Sequence, residues 1–287
     1  VVAFGMTTNG VAWATIIAQG VSAVLCILKL RKMTHILDLN RKTLRMDKVI
    51  VQRVVKLGVP AGLTQMIFAL SNILVQSLTT SLGDNVVTAC TAIMRVDGFA
   101  MMPNFTFGIA ATTFAGQNVG ARRWDRVKQG AKATLILAVG TATVLVIGIL
   151  LFGKNLMQVF TATPEIVDLG VSMMRLLAVG YSAFAVTQTL QGIMRGCGET
   201  VVPMWISIIV TVIIRMPLAY LWAHLTKSAA WPNGNPTCLY GSLLTAWVSG
   251  CLLTTFFYIK GKWRKRTKKA LTQPIEENEP DETIQPA

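Results

Sequence analysis

Seven long apolar stretches, near residues 8–28, 57–82, 86–114, 133–152, 169–194, 201–222 and 239–259, constrain this chain more than any other feature. Each is about 20 residues or longer, enough for an α-helix rising about 1.5 Å per residue to cross a hydrocarbon core of about 30 Å. A water-soluble fold would instead show amphipathic stripes over about 10–15 residues. The expected fold class is therefore all-α: a polytopic membrane bundle of seven transmembrane helices.

The loops set an orientation. Basic residues crowd the segment after the first stretch (Lys29, Arg31, Lys32, Arg41, Lys42, Arg45, Lys48, Arg53, Lys56) and the loop after the third (Arg122, Arg123, Arg126, Lys128, Lys132). They return at Arg195 and at Lys260–Lys269, whereas the opposite loops hold only Lys154 and Lys227. The positive-inside rule makes the basic face cytoplasmic, which puts the start of the chain outside and its C-terminus in the cytoplasm of a cell-membrane protein. The net charge of +14 follows from these loops and from the lipid bilayer they border, so no nucleic-acid partner is required. Residues 274–287 reverse the charge with Glu276, Glu277, Glu279, Asp281 and Glu282, a composition that reads as a disordered tail.

Enzymatic chemistry finds no foothold. The five cysteines are scattered without CxxC or Cys/His spacing, and His35 and His224 fall on opposite sides of the membrane. No metal or cofactor is expected. The glycines of the loop after the third span are not followed by the Lys and Ser or Thr of a phosphate-binding loop. Gly116 and Gly120 there instead suggest a helix end, with Gln117 and Asn118 bonding the freed carbonyls.

Several motifs carry a resemblance. Arg95-Val-Asp-Gly-Phe-Ala-Met-Met-Pro-Asn leads to Gly116-Gln-Asn-Val-Gly-Ala-Arg122; around them stand Leu57-Gly-Val-Pro-Ala, Met194-Arg-Gly-Cys-Gly-Glu-Thr and Arg215-Met-Pro-Leu-Ala-Tyr. The whole resembles the multidrug and toxic compound extrusion (MATE) transporters, from residue 1 to about 262. Members have twelve helices in two six-helix lobes. The resemblance implies the last helix of the first lobe at 1–31, a cytoplasmic linker at 32–56, the second lobe at 57–260 and a cytoplasmic tail at 261–287. It implies that the first lobe is a missing partner, and that the whole is an antiporter expelling small cationic or amphipathic drugs or toxins in exchange for H⁺ or Na⁺. Gln and Asn stand in the second and fifth spans where some members carry acidic residues, which favours H⁺. A flippase for a lipid-linked precursor is the alternative within this superfamily, and a seven-helix receptor the alternative outside it. The last span has no Lys for a retinal Schiff base, which counts against one kind of receptor.

The residues nominate their own site. Asp97 is the only carboxylate well inside a span, where a charge costs at least a few kcal/mol unless paired or hydrated. With Met101 and Asn104 it forms one helical stripe, beside a kink expected at Pro103. This stripe either faces a water-filled cavity that takes cations, or Asp97 sits in an ion pair with Arg95, Arg175 or a residue of another helix. Gln65, Asn72 and Gln76 share a face of the second span; Tyr181, Phe184, Gln188, Gln191 and Arg195 share one of the fifth. Amides facing lipid would go unsatisfied, so both faces are expected to meet water, substrate or other helices. Arg175 and Arg215 are expected to snorkel or to pair within the bundle, Arg215 also being near the carbonyls freed by Pro217. Asp47 should cap a helix from Lys48 that lies amphipathically on the membrane surface before the second span.

Overall fold

The computed structural model describes residues 8–32, 47–229, 231–261 and 263. The acidic tail and most of the first basic linker lie outside the described residues. The described chain is helical: α1 (Thr8–Lys32), α2 (Lys48–Ser81), α3 (Asp84–Gly120), α4 (Trp124–Gln158), α5 (Pro164–Gly196), α6 (Val201–Ile208), a π-helical segment (Ile209–Arg215), α7 (Met216–Leu225) and α8 (Thr237–Lys260). The stretch from Val201 to Leu225 counts as one apolar span, so seven spans are long and apolar enough to cross a membrane. Two compact units divide at Val55 and Lys56.

In the first unit, α1 exposes Trp13, Ile16, Ile17 and Val21. Its last turn carries Lys29, Arg31 and Lys32, cations placed where the helix dipole favours them. Asp47 caps α2 as expected: its carboxylate accepts a 2.7 Å hydrogen bond from the Val49 amide. The helix that starts there runs unbroken to Ser81, with Pro60 inside it. The stretch read as a surface helix is thus continuous with the second span.

In the second unit, α3 and α5 form the spine. They lie side by side and run in the same direction, since Asp97 meets Tyr181, Gly108 meets Gln188 and Gly192, and Gly196 meets Thr112 and Ala115. Glycine makes this approach possible. A methyl group on Gly192 would lie 2.3 Å from the Gly108 carbonyl oxygen, and one on Gly196 would lie 2.3 Å from that of Thr112. Ala111, Ala115 and Ala185 continue the row of small buried residues. Lipid tails are as apolar as leucine, so burial gives helices no reason to associate in a membrane; close backbone packing does. α4 covers the spine through Ala138 and Ala142, which cluster with Ala185. α8 covers another side through Trp247, whose ring lies over Gly180.

Two helix ends differ from the sequence reading or sharpen it. α3 does not stop at Gly116 but continues to Gly120. The left-handed residue beyond it is Arg122 (φ 57°), with Arg123 N–H donating to Asn118 O and Arg122 N–H to Val119 O, the bonds of a Schellman cap. Asn118 does bond a carbonyl, that of Phe114. Gly116 instead faces the Gly196 carbonyl, 3.5 Å from where a Cβ would stand. α5 closes with the same cap, and there Gly198 takes the positive φ of 84°.

The π-helical segment has a local cause. Pro217 has no N–H, and its ring crowds the carbonyl four residues back, so the α-helical ladder cannot run through Ile213. Widening to i→i+5 bonding over Ile209–Arg215 accommodates this and turns the helix beyond Arg215 to a new face.

The spine yields a test. Gly192→Val, in the protein carrying this chain, forces backbone apart on both sides and should cut folded, membrane-inserted protein by about tenfold or more. Gly140→Ala, where no atom lies within 4 Å, should leave it at the wild-type level. Fluorescence-detected size exclusion of detergent extracts reads both.

Candidate functional site

Asp97 leaves the middle of α3 towards α5, where the Tyr181 hydroxyl donates a hydrogen bond to its Oδ1. Tyr181 is 1 % exposed. Its ring packs against Trp247 of α8 at a centroid distance of 5.6 Å, and Phe184 lies against the other part of the same indole at 5.3 Å. Phe105 meets Phe184 edge-on at 5.6 Å. The carboxylate is therefore held by a phenol that is itself fixed by packing across helices. The expected ion pairs are absent: Arg95 and Arg175 are exposed, and among the described residues the one ion pair is Lys128–Asp125, at 3.9 Å on the surface.

The rest of the Asp97 stripe packs within the bundle. Met101 packs against the main apolar cluster. Asn104 is 1 % exposed; its Nδ2 reaches the Ala100 carbonyl at 3.4 Å and its Oδ1 has no partner among the described residues. The face turns to α5, and Asp97 keeps only partial exposure.

The fifth-span stripe divides three ways. Tyr181 goes to Asp97. Gln188 lines a cavity of about 60 Å³, room for a few water molecules. Gln191 also reaches this cavity and sets its Nε2 3.4 Å from Thr254 Oγ1 of α8. Opposite stand Ser207, Thr211 and Arg215 from the span that contains the π-helical segment, with Phe184 and Trp247 closing one side. Arg215 Nη1 lies 3.5 Å from Ser71 Oγ of α2, and its buried Nε has no partner among the described residues. Arg215 thus pairs with a neighbouring helix and also borders a largely apolar cavity, a position the sequence did not suggest. Ser207, Thr211 and Trp247 were missed altogether. Pro217 was the signal that ordinary helical spacing would misplace the residues before it.

In α2 the buried polar face is Thr64, Ser71 and Thr79. Gln65, Asn72 and Gln76 sit round from it and are not buried. Their amides are therefore not spent on packing against other described helices. None of the five cysteines forms a disulfide among the described residues. Cys197, just beyond α5, has its pKa pushed up to about 12 by burial, so it stays a neutral packing group.

The chain is thus a multi-span helical bundle with a small, largely apolar cavity, a carboxylate held inside a span and amides left open on an apolar helix. The MatE family model matches residues 60–221, more than half of the chain, and the chain belongs to that family of multidrug and toxic compound extrusion transporters. It is 28 % identical over 273 residues to the probable multidrug resistance protein YoeA of Bacillus subtilis, covering 92 % of this chain and 56 % of that protein. To the probable multidrug resistance protein NorM of Thermotoga maritima it is 23 % identical over 271 residues, 91 % of this chain and 55 % of that one. The chain thus spans about half the length of the curated relatives it matches. Among solved structures, a Vibrio cholerae MATE transporter, VcmN, superposes with a TM-score of 0.81 at 18 % identity, covering 93 % of this chain and 59 % of that one. A MOP superfamily transporter from Pyrococcus furiosus gives 0.80 at 18 % identity, over 95 % and 59 %. These likenesses establish the fold.

The Asp97–Tyr181 bond predicts a measurable coupling. Tyr181→Phe keeps the ring against Trp247 but strands the carboxylate, and should lower stability by about 1–3 kcal/mol. In the Asp97→Asn background the same change should cost clearly less, because a neutral amide is cheaper to leave unpaired. A double-mutant cycle on the thermal unfolding of purified protein reads the difference.

Proposed function

We propose that this chain forms the second lobe of a secondary active exporter, which moves small cationic or amphipathic compounds out of the cell in exchange for an ion. The observation that carries the reading is Asp97: a carboxylate inside a span, held by a tyrosine hydroxyl and not neutralised by an arginine. A group in that state is free to hold a proton or attract a cation as the lobe changes shape. The interiors of α2 and α5 present Gln and Asn, so the ion bound in this lobe is H⁺ in preference to Na⁺. The basic loops face the cytoplasm, and Gln65, Asn72 and Gln76 line the path that this lobe shares with a first lobe. Relatives described as probable multidrug resistance proteins support the substrate class. Only Arg215 among the span arginines reaches the cavity, so a lipid-linked precursor flippase gains nothing from the geometry.

Asp97→Asn tests this in the full-length transporter. The amide preserves shape and still accepts from Tyr181, so membrane levels should stay near wild type while efflux of a cationic dye falls by about tenfold, equivalent to about 1.4 kcal/mol. Efflux of a neutral dye should fall less. Wild-type efflux at normal protein levels would remove Asp97 from the mechanism.

The amide face has its own test. Cysteines at Asn72 and Gln76, in a background lacking the native ones, should react with a membrane-impermeant thiol reagent. Cysteine at Ile73, which is 65 % exposed but belongs to the apolar face, should react far less. Equal protection at all three would return the face to helix packing.

A further inference from the structure

Where α4 begins and α8 ends, the surface holds a cavity of about 330 Å³ whose lining is divided by chemistry. Its lining is aromatic and cationic at Trp124, Lys128 and Lys132 on α4, Tyr258 on α8 and Trp263 beyond it, and an apolar floor is supplied by neighbours such as Leu135 of α4 and Leu190 of α5. The aromatic part is held in place by packing. Trp263 is 3 % exposed, its ring centroid 5.3 Å from that of Tyr258 and 6.1 Å from that of Trp124. Lys128 and Lys132 stand four residues apart on one helix face, where like charges repel. Lys128 has a distant contact with Asp125, 3.9 Å apart with both side chains well exposed, too weak to neutralise the pair.

We propose that this cavity binds one anionic phospholipid. Its phosphate would bridge Lys128 and Lys132, its glycerol ester region would lie against the indoles, and an acyl chain would cover the apolar floor. Tryptophan and tyrosine favour the level of the ester groups, and paired basic residues beside them favour negative headgroups. The lysine stems are long enough to lie along the apolar wall while their ammonium groups reach that level. Charge separates this cavity from its neighbour. Trp263 also borders a second hollow of about 360 Å³, but Glu199 lines that one together with Lys260, so its charge is mixed. The occupant is a lipid and not a soluble phosphate, because a free anion would leave the apolar floor open to water. Lipid binding here is independent of the direction of transport and of the nature of the exported compound.

The test is thermal unfolding of delipidated, full-length protein in detergent, with phosphatidylglycerol, phosphatidylcholine or inorganic phosphate added. A ligand that binds only the folded state raises the midpoint. Phosphatidylglycerol should raise it by several degrees more than phosphatidylcholine. The double variant Lys128→Gln, Lys132→Gln should lose most of that difference, the Lys128→Arg, Lys132→Arg pair should keep it, and Lys260→Gln should keep it too. Both lysines are exposed, so the variants should fold, and their midpoints without lipid report directly on that. Full retention of the difference in the double glutamine variant would overturn the proposal. So would equal stabilisation by the two lipids, or inorganic phosphate reproducing the effect alone.

Discussion

The near-contact of two backbones, α3 and α5, is the constraint on which the second unit depends. With no side chain at Gly192 and Gly196, the carbonyls of Gly108 and Thr112 come close enough to touch the facing helix. That proximity fixes the register of the two helices, and the register decides which polar groups meet. One helical turn of slip would carry Asp97 away from Tyr181 and leave a carboxylate in an apolar interior. The packing and the polar pair are thus one feature: the glycines bring the helices together, and the hydroxyl–carboxylate bond makes only one alignment acceptable.

Around this spine, polar groups are distributed by what lies opposite them. Gln191 turns to Thr254, and Gln188 to the cavity it shares with Arg215. The later part of α2 is tied to the rest of its unit by polar contacts: Arg215 to Ser71, the Tyr220 hydroxyl to the Leu74 carbonyl at 3.2 Å, and Asn233 Nδ2 to the Ser81 carbonyl at 2.6 Å. Such bonds exchange readily with water, in contrast to the glycine contact between α3 and α5. A helix tethered this way can shift at modest cost while the spine stays intact.

Much of this was legible in the chain. Hydropathy located all seven spans, because a membrane core admits little else, and Asp97 declared itself by being the one carboxylate within them. The ends were less legible. α4 starts at Trp124, well before the apolar run, because Asp125, Arg126, Lys128 and Lys132 end hydropathy without ending a helix. The identity of Asp97's partner was hidden, since periodicity along one helix says nothing about its register with another. The cavity was hidden for a second reason: Ser207, Thr211 and Arg215 lie on a span whose winding changes before Pro217. Of the fifth-span stripe, only Gln188 and Gln191, with Phe184, reached the cavity as a shared face suggested.

The proposed export rests on the carboxylate in the spine coupling an ion gradient to substrate movement. Purified full-length transporter in proteoliposomes, with a proton gradient or a sodium gradient imposed across the membrane and no nucleotide present, tests that most directly. Cationic-dye movement should be driven by the proton gradient in the wild type and strongly reduced when Asp97 is replaced by Asn, with the protein inserted in equal amounts. Dye movement that ignores both gradients, or that the substitution leaves untouched under either, would contradict the role given to Asp97.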